Sequence, residues 1–277
     1  MTTPQTSAET EAGPADGEPV VFVPGATLPK FVWEDAAETL ARHGFRTVRY
    51  DLLGRDAAAA PRTRYDAALF DRQLDALLDH LSPDRPVHLV SLAFGALIAA
   101  GFAARRPQRV RSLVHVAPDG FGVRLPLRSR LLLLPVAGDL LARAAGPRAL
   151  LSRLADYSDR PEIVAALRER FRPHATPALT RAVLSSVRHM PIHDAAEQYR
   201  AVADVPTLVL WGRGDRVTPL PSPERLEAAF PNARITVLED CGHLPDLERP
   251  GRVAAHLLPF LREHADPGTP QRGSIPG

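Results

Sequence analysis

Six short runs of Val, Ile, Leu and Phe recur along the chain, with longer amphipathic stretches between them. They are PVVFVPG at 19–25, FRTVRYD at 45–51, RPVHLVS at 85–91, VRSLVHVAP at 110–118, PTLVLWG at 206–212 and ARITVLE at 233–239. The spacing of apolar positions between them predicts helices over Trp33–His43, Asp66–Leu81, Ala93–Arg106, Pro223–Ala229 and Arg249–Arg262. Strands apolar on both faces and separated by helices imply a mostly parallel sheet covered on each side. The alternation stops between about Gly120 and Ala203, where prolines and helical periodicity replace strand signals. This predicts an α/β core over 18–119 and 204–264 with a helical cap, 120–203, above the carboxyl ends of the strands, where such sheets bind ligands. A helical elaboration with only a packing role is the alternative.

Residues 1–17 and 265–277 carry no periodicity and are expected to be disordered tails. The first of them, acidic and polar, lacks the apolar stretch of a secretory signal. The longest uncharged stretch, Ser91 to Ala104, is shorter than the roughly 20 residues needed to span a bilayer. With 34 basic against 32 acidic residues, the net charge of +2 offers no electrostatic footprint for nucleic acid or an anionic membrane. One cysteine, Cys241, excludes an internal disulfide and a Cys-rich zinc site. These features predict a cytoplasmic protein with a small-molecule substrate and no stable membrane association. Neither a P-loop nor a dinucleotide fingerprint is present, so no cofactor is expected.

The chemistry-bearing segments follow the strands. WGRGDRVTP follows the fifth, EDCGHLPDLERP the sixth, VPGAT the first and YDLLGRDAAAAP the second. Their order resembles the α/β-hydrolase superfamily over roughly Glu18 to Glu263, and within it esterases and lipases with Y-D-L-x-G-R, Y-D-x-x-L-F-x-R-Q-L and R-H-M-P, here Tyr50–Arg55, Tyr65–Leu74 and Arg188–Pro191. The resemblance implies a strand-to-helix elbow presenting a nucleophile, and a triad in the chain order nucleophile, acid, histidine. It places Asp215 as the acid and His243 as the base. It makes the backbone N–H groups of Ala26 and Phe94 the oxyanion donors, with Pro24 standing where the family usually has a histidine.

The elbow itself departs from the pattern. In VHLVSLAFGALIAA the nucleophile position falls on Ala93, with Ser91 in the place of the first small residue and Gly95 and Ala96 in those of the last two. Alanine has no lone pair and forms no acyl-enzyme. Reading Ser91 as nucleophile instead puts Leu89 in a turn that needs a small residue. Three readings remain open: an enzyme using His243 as general base for elimination, cyclisation, isomerisation or direct water attack on a carbonyl compound; a serine esterase or lipase with its serine replaced; and a binding module that reuses the pocket. The GRDAAAAP loop also lacks the family's serine, so several departures surround one site.

Other residues have plainer readings. His88 and His115 lie inside apolar strands and read as core histidines. Cys241 reads as a small packing residue. Asp119, directly after the fourth strand, is an alternative orienting acid. His174, His189 and His193 fall in the cap; His189 and His193 are spaced i, i+4, but Pro191 interrupts the helix a metal pair would need. No metal site is expected. LLLLPVAGDLL at 131–141 reads as the inner face of the cap, placing Leu131 and Leu134, with Pro24, Ser91 and His189, among candidate pocket residues for an apolar substrate.

Overall fold

The apolar runs pair into one sheet of seven strands, in the order β1-β3-β2-β4-β5-β6-β7. The computed structural model describes residues 9–55, 60–122 and 137–268. The strands are β1 (Thr10–Ala12), β2 (Pro19–Val23), β3 (Arg46–Arg49), β4 (Val87–Leu92), β5 (Val110–Val116), β6 (Thr207–Gly212) and β7 (Arg234–Leu238). All neighbours from β3 across to β7 run parallel. Strands β2, β4 and β6 are buried along their whole length, which is why they read as unbroken apolar runs rather than alternating ones.

Helices α1 (Glu34–Arg42), α2 (Ala67–Leu81), α3 (Phe94–Arg105), α8 (Pro223–Ala229) and α10 (Pro250–Glu263) follow the predicted spans to within a residue. Helix α2 is started by Asp66, whose carboxylate accepts from the Leu69 N–H at 3.0 Å. Helix α3 is apolar on all sides, and Phe94 through Ala103 are buried. Between β5 and β6 lie α4 (Ala137–Arg153), α5 (Pro161–Phe171), α6 (Pro177–His189) and the short α7 (Ala196–Arg200), and the described residues there contain no strand. The four-residue α9 (Pro245–Glu248) precedes α10.

The expectation of a structureless tail to residue 17 is corrected by β1. It pairs antiparallel with β3, with Glu11 opposite Val48, and Arg46 bonds the Glu11 carboxylate at 2.8 Å. Three residues on a sheet edge, two of them polar, bury too little to leave an apolar signature, so their ladder is invisible to periodicity. At the other end, residues 265–268 continue from α10, and Asp266 pairs with Arg111 at 3.2 Å. The remainder of both tails lies outside the described residues.

Candidate active site

The turn from β4 into α3 is one of the strained turns at the carboxyl ends of the strands. Ala93 sits there at φ 47° and ψ −109°, a conformation that costs a non-glycine residue about 1–3 kcal/mol. The surroundings hold it in place: the Ala93 N–H donates to Val116 O at 2.9 Å, and the Ala93 carbonyl accepts from Ala96 and Asp119 N–H at 3.0 and 3.2 Å. Gly95 is required by proximity, since a Cβ there would lie 2.5 Å from Val23 O and 2.7 Å from Pro24 O. This packing of helix against the first parallel strand explains the small residue two places after Ala93.

Opposite the elbow, the loops after β6 and β7 bring Asp215 and His243 together. The His243 Nδ1 to Asp215 Oδ2 distance is 2.8 Å, and both side chains are buried. Asp215 Oδ1 accepts the N–H groups of Val217 and Thr218 at 2.8 and 2.9 Å, and Thr218 Oγ1 donates to Oδ2 at 2.8 Å. A carboxylate with these donors can only accept, so the proton of His243 lies on Nδ1 and Nε2 is left as the basic nitrogen. Burial alone would lower the imidazole pKa. The Asp215 carboxylate, by charge and by hydrogen bond, outweighs burial, and with Asp119 further off it holds His243 above its ordinary value.

Thr218 had no place in the sequence reading. Its signal is the Asp-x-x-Thr spacing of a carboxylate that folds the chain back onto itself. Tyr157 was also unforeseen: its carbonyl accepts the His243 N–H at 3.0 Å, and its ring meets the imidazole edge-on at 5.0 Å between centroids.

A pocket of about 120 Å³ joins these parts, with Ala26, Ala93, Phe94 and His243 in its wall. Leu28, Leu92, Leu150, Val183, Val187, Ile192 and Val217 make the rest largely apolar. Two further charged residues reach it, Asp119 and Arg153. Burial pushes the Asp119 carboxyl up to about 6, with His243 and Arg153 opposing and Asp215 adding to the rise.

Several predicted pocket residues lie elsewhere. Ser91 is wholly buried in β4; its Oγ donates to Val114 O at 3.0 Å and lies 2.7 Å from His115 Nδ1. Pro24 is buried behind the elbow, with its carbonyl toward Gly95 rather than the cavity. His189 is exposed at the end of α6 and turns its Nδ1 to Ser185 O at 2.7 Å. Helix α6 ends at His189, one residue short of the Met190 that precedes Pro191, so the exposed His193 does not share its face. Leu131 and Leu134 lie outside the described residues, while Leu140 and Leu141 of the same apolar run are 62% and 46% exposed and do not line the pocket. His88 is a core residue bonded to Ser112 Oγ at 2.7 Å. Cys241 is buried beside the dyad, its thiol pushed up to about 12 by burial and by Glu248. The described residues contain no group of three or more potential metal ligands, and none of their helices is long and apolar enough to cross a membrane.

A parallel sheet wrapped by helices, a strained strand-to-helix elbow and a buried acid–imidazole pair after the last two strands define the class of folds that place a reactive site above a nucleophile turn. A family model described as the alpha/beta hydrolase fold matches residues 18–250, and the chain belongs to that family. It is 27% identical to a cis-3-alkyl-4-alkyloxetan-2-one decarboxylase of Shewanella oneidensis, over 89% of this chain and 83% of that protein. It is 29% identical to a 2-hydroxymuconate semialdehyde hydrolase of Pseudomonas putida, over 79% of this chain and 77% of the relative. Among solved structures, a thermophilic esterase from Thermogutta terrifontis superposes with a TM-score of 0.77 at 24% identity, covering 94% of each chain. An enol-lactonase from Burkholderia xenovorans LB400 gives 0.78 at 20% identity, covering 92% of this chain and 96% of the other.

Proposed function

We propose that this chain is an enzyme acting on a small, largely apolar carbonyl compound by general-base chemistry, without a covalent acyl-enzyme. The observation that carries the reading is the combination of a methyl group at the elbow, Ala93, with an intact His243–Asp215 contact of 2.8 Å facing the same pocket. In this reading His243 Nε2 removes a proton from a bound water or from a carbon next to the carbonyl. The negative charge passes to the carbonyl oxygen, where the N–H groups of Ala26 and Phe94 receive it. When the charge returns to carbon or expels a leaving group, the imidazolium returns its proton, so the enzyme ends as it began. Asp215 holds the ring and stabilises its charged form throughout.

The apolar wall supports a substrate with aliphatic substituents. The relatives agree in kind: one is a decarboxylase named for an alkyl-substituted oxetanone, the other a hydrolase of a semialdehyde. The test is product analysis by mass spectrometry with apolar lactones, esters and β-dicarbonyl compounds, comparing the unmodified protein with His243→Ala. Turnover confined to the unmodified protein supports the reading; equal turnover in both removes it and leaves a binding protein.

A second reading is favoured by one observation. The φ of 47° at Ala93 serves a protruding nucleophile and does nothing for a methyl group. This suits a serine hydrolase whose hydroxyl has been lost, and Ala93→Ser tests whether the elbow still supports one.

A further inference from the structure

Arg55 is 1% exposed, and among the described residues no carboxylate is paired with it. Each nitrogen of its guanidinium bonds a neutral group. Nε donates to Ala26 O at 2.8 Å, one terminal nitrogen to Leu53 O at 3.3 Å, and the other to Ser186 Oγ on α6 at 2.9 Å. The rings of Tyr65, Phe70 and Phe94 surround it, with centroids at 5.8, 5.4 and 5.6 Å from its central carbon. Such ring faces attract a desolvated cation, but they do not neutralise it. Burying an uncompensated charge is costly, so its position bears on what it is for. Arg55 touches both residues assigned as oxyanion donors, Ala26 through its carbonyl and Phe94 through its ring.

We propose that Arg55 is a positioning residue for the oxyanion site, anchoring the Ala26 turn and placing a positive charge against it, so that the pocket prefers an anionic oxygen to a neutral one. This rests on the assignment of Ala26 and Phe94 made above. The mechanical part is an anchor: the guanidinium holds the Ala26 carbonyl at 2.8 Å, which fixes the Ala26–Thr27 peptide plane and so tethers the turn that carries the Ala26 N–H. The electrostatic part follows from burial: a charge bonded to the Ala26 carbonyl at 2.8 Å and ringed by aromatic side chains is little screened. Ser186 extends the arrangement to the inserted helices, because the same guanidinium bonds α6.

The test uses two probes of equal length, octanoate and octanol, titrated calorimetrically into the full-length protein. The unmodified protein is expected to prefer octanoate by roughly tenfold, the equivalent of one favourable charge interaction. Arg55→Gln should lose most of that preference while leaving octanol affinity unchanged, and Arg55→Lys should retain most of it. A purely structural role would weaken both probes together. Arg153 also reaches the pocket, so Arg153→Gln is measured beside it; if it abolishes the preference while Arg55→Gln does not, the proposal fails. It also fails if the unmodified protein binds the two probes alike. Should Arg55→Gln not fold, the amide proton shifts of Ala26 and Phe94 in the unmodified protein decide: octanoate moves them downfield and octanol does not, and the absence of that difference overturns the assignment. Binding needs no turnover, so these outcomes are independent of the His243→Ala comparison.

Discussion

Ser91 and His115 face each other across β4 and β5, oxygen to Nδ1 at 2.7 Å, with no exposed surface on either side chain. A serine beside a histidine suggests nucleophilic catalysis, yet this pair is sealed within the sheet, and Ser91 gives its own proton to Val114 O. The contact is structural. Ser91→Ala is expected to lower unfolding free energy by about 1–3 kcal/mol by leaving buried polar atoms without partners, read from urea denaturation. A fluorophosphonate probe should leave Ser91 unlabelled in the unmodified protein.

His243→Ala should reduce turnover by on the order of 10²–10⁴-fold, the usual worth of a positioned base. Asp215→Asn should have a large but smaller effect, since the ring keeps its Thr218 neighbour at 3.2 Å. Initial rates on the substrate found by product analysis test both.

Ala93→Ser should create hydrolysis of short p-nitrophenyl esters where the unmodified protein shows almost none. The backbone already adopts the elbow conformation, so the serine pays no new conformational cost. Adding His243→Ala to that variant should abolish the gain, showing that the new hydroxyl uses the existing base.

The base form of His243 is the unprotonated one, and its pKa is raised. Activity should therefore climb with pH through a value above the ordinary histidine value of about 6.5, and Asp215→Asn should move that limb downward. For stability the sign is opposite. The protonated folded form is favoured, so the contribution is present below the unfolded pKa and lost as pH rises through the folded one.

His115 behaves in the reverse sense, because burial pushes its pKa down to about 3. Unfolding exposes a ring that takes a proton near pH 6.5, so stability should fall as pH drops from about 6.5 toward 3. His88, lowered mainly by burial, adds to this. Urea midpoints across that range should fall less steeply in His115→Phe than in the unmodified protein.

Much of this molecule is legible in its sequence, for definite reasons. The strands around β4 are buried on both faces, so their apolar runs mark them. Asp215 and His243 are marked by the turns that carry them, and Ala93 by its register between strand and helix. What escapes is set by contacts between distant segments. Strand β1 is polar and exists only through β3. His189 looks like a pocket residue by motif, but α6 turns it to solvent. Thr218 could be found from its three-residue spacing to Asp215, whereas Arg55 meeting Ser186, 131 positions away, could not. Ser91 misleads because sequence shows which residues are present but not which face of the sheet they occupy.

The Tyr157 carbonyl holds the backbone of His243 at 3.0 Å, and Ser186 holds Arg55. The inserted segment is thus bolted to the molecule at the proposed base, His243, on one side and through Arg55 at the proposed oxyanion loop on the other. On the proposed mechanism, any yielding that admits a ligand and strains these bolts would disturb the base or the oxyanion loop, so a pocket forced open at either anchor would also be a pocket switched off. Entry that leaves the site competent has to pass between the two anchors.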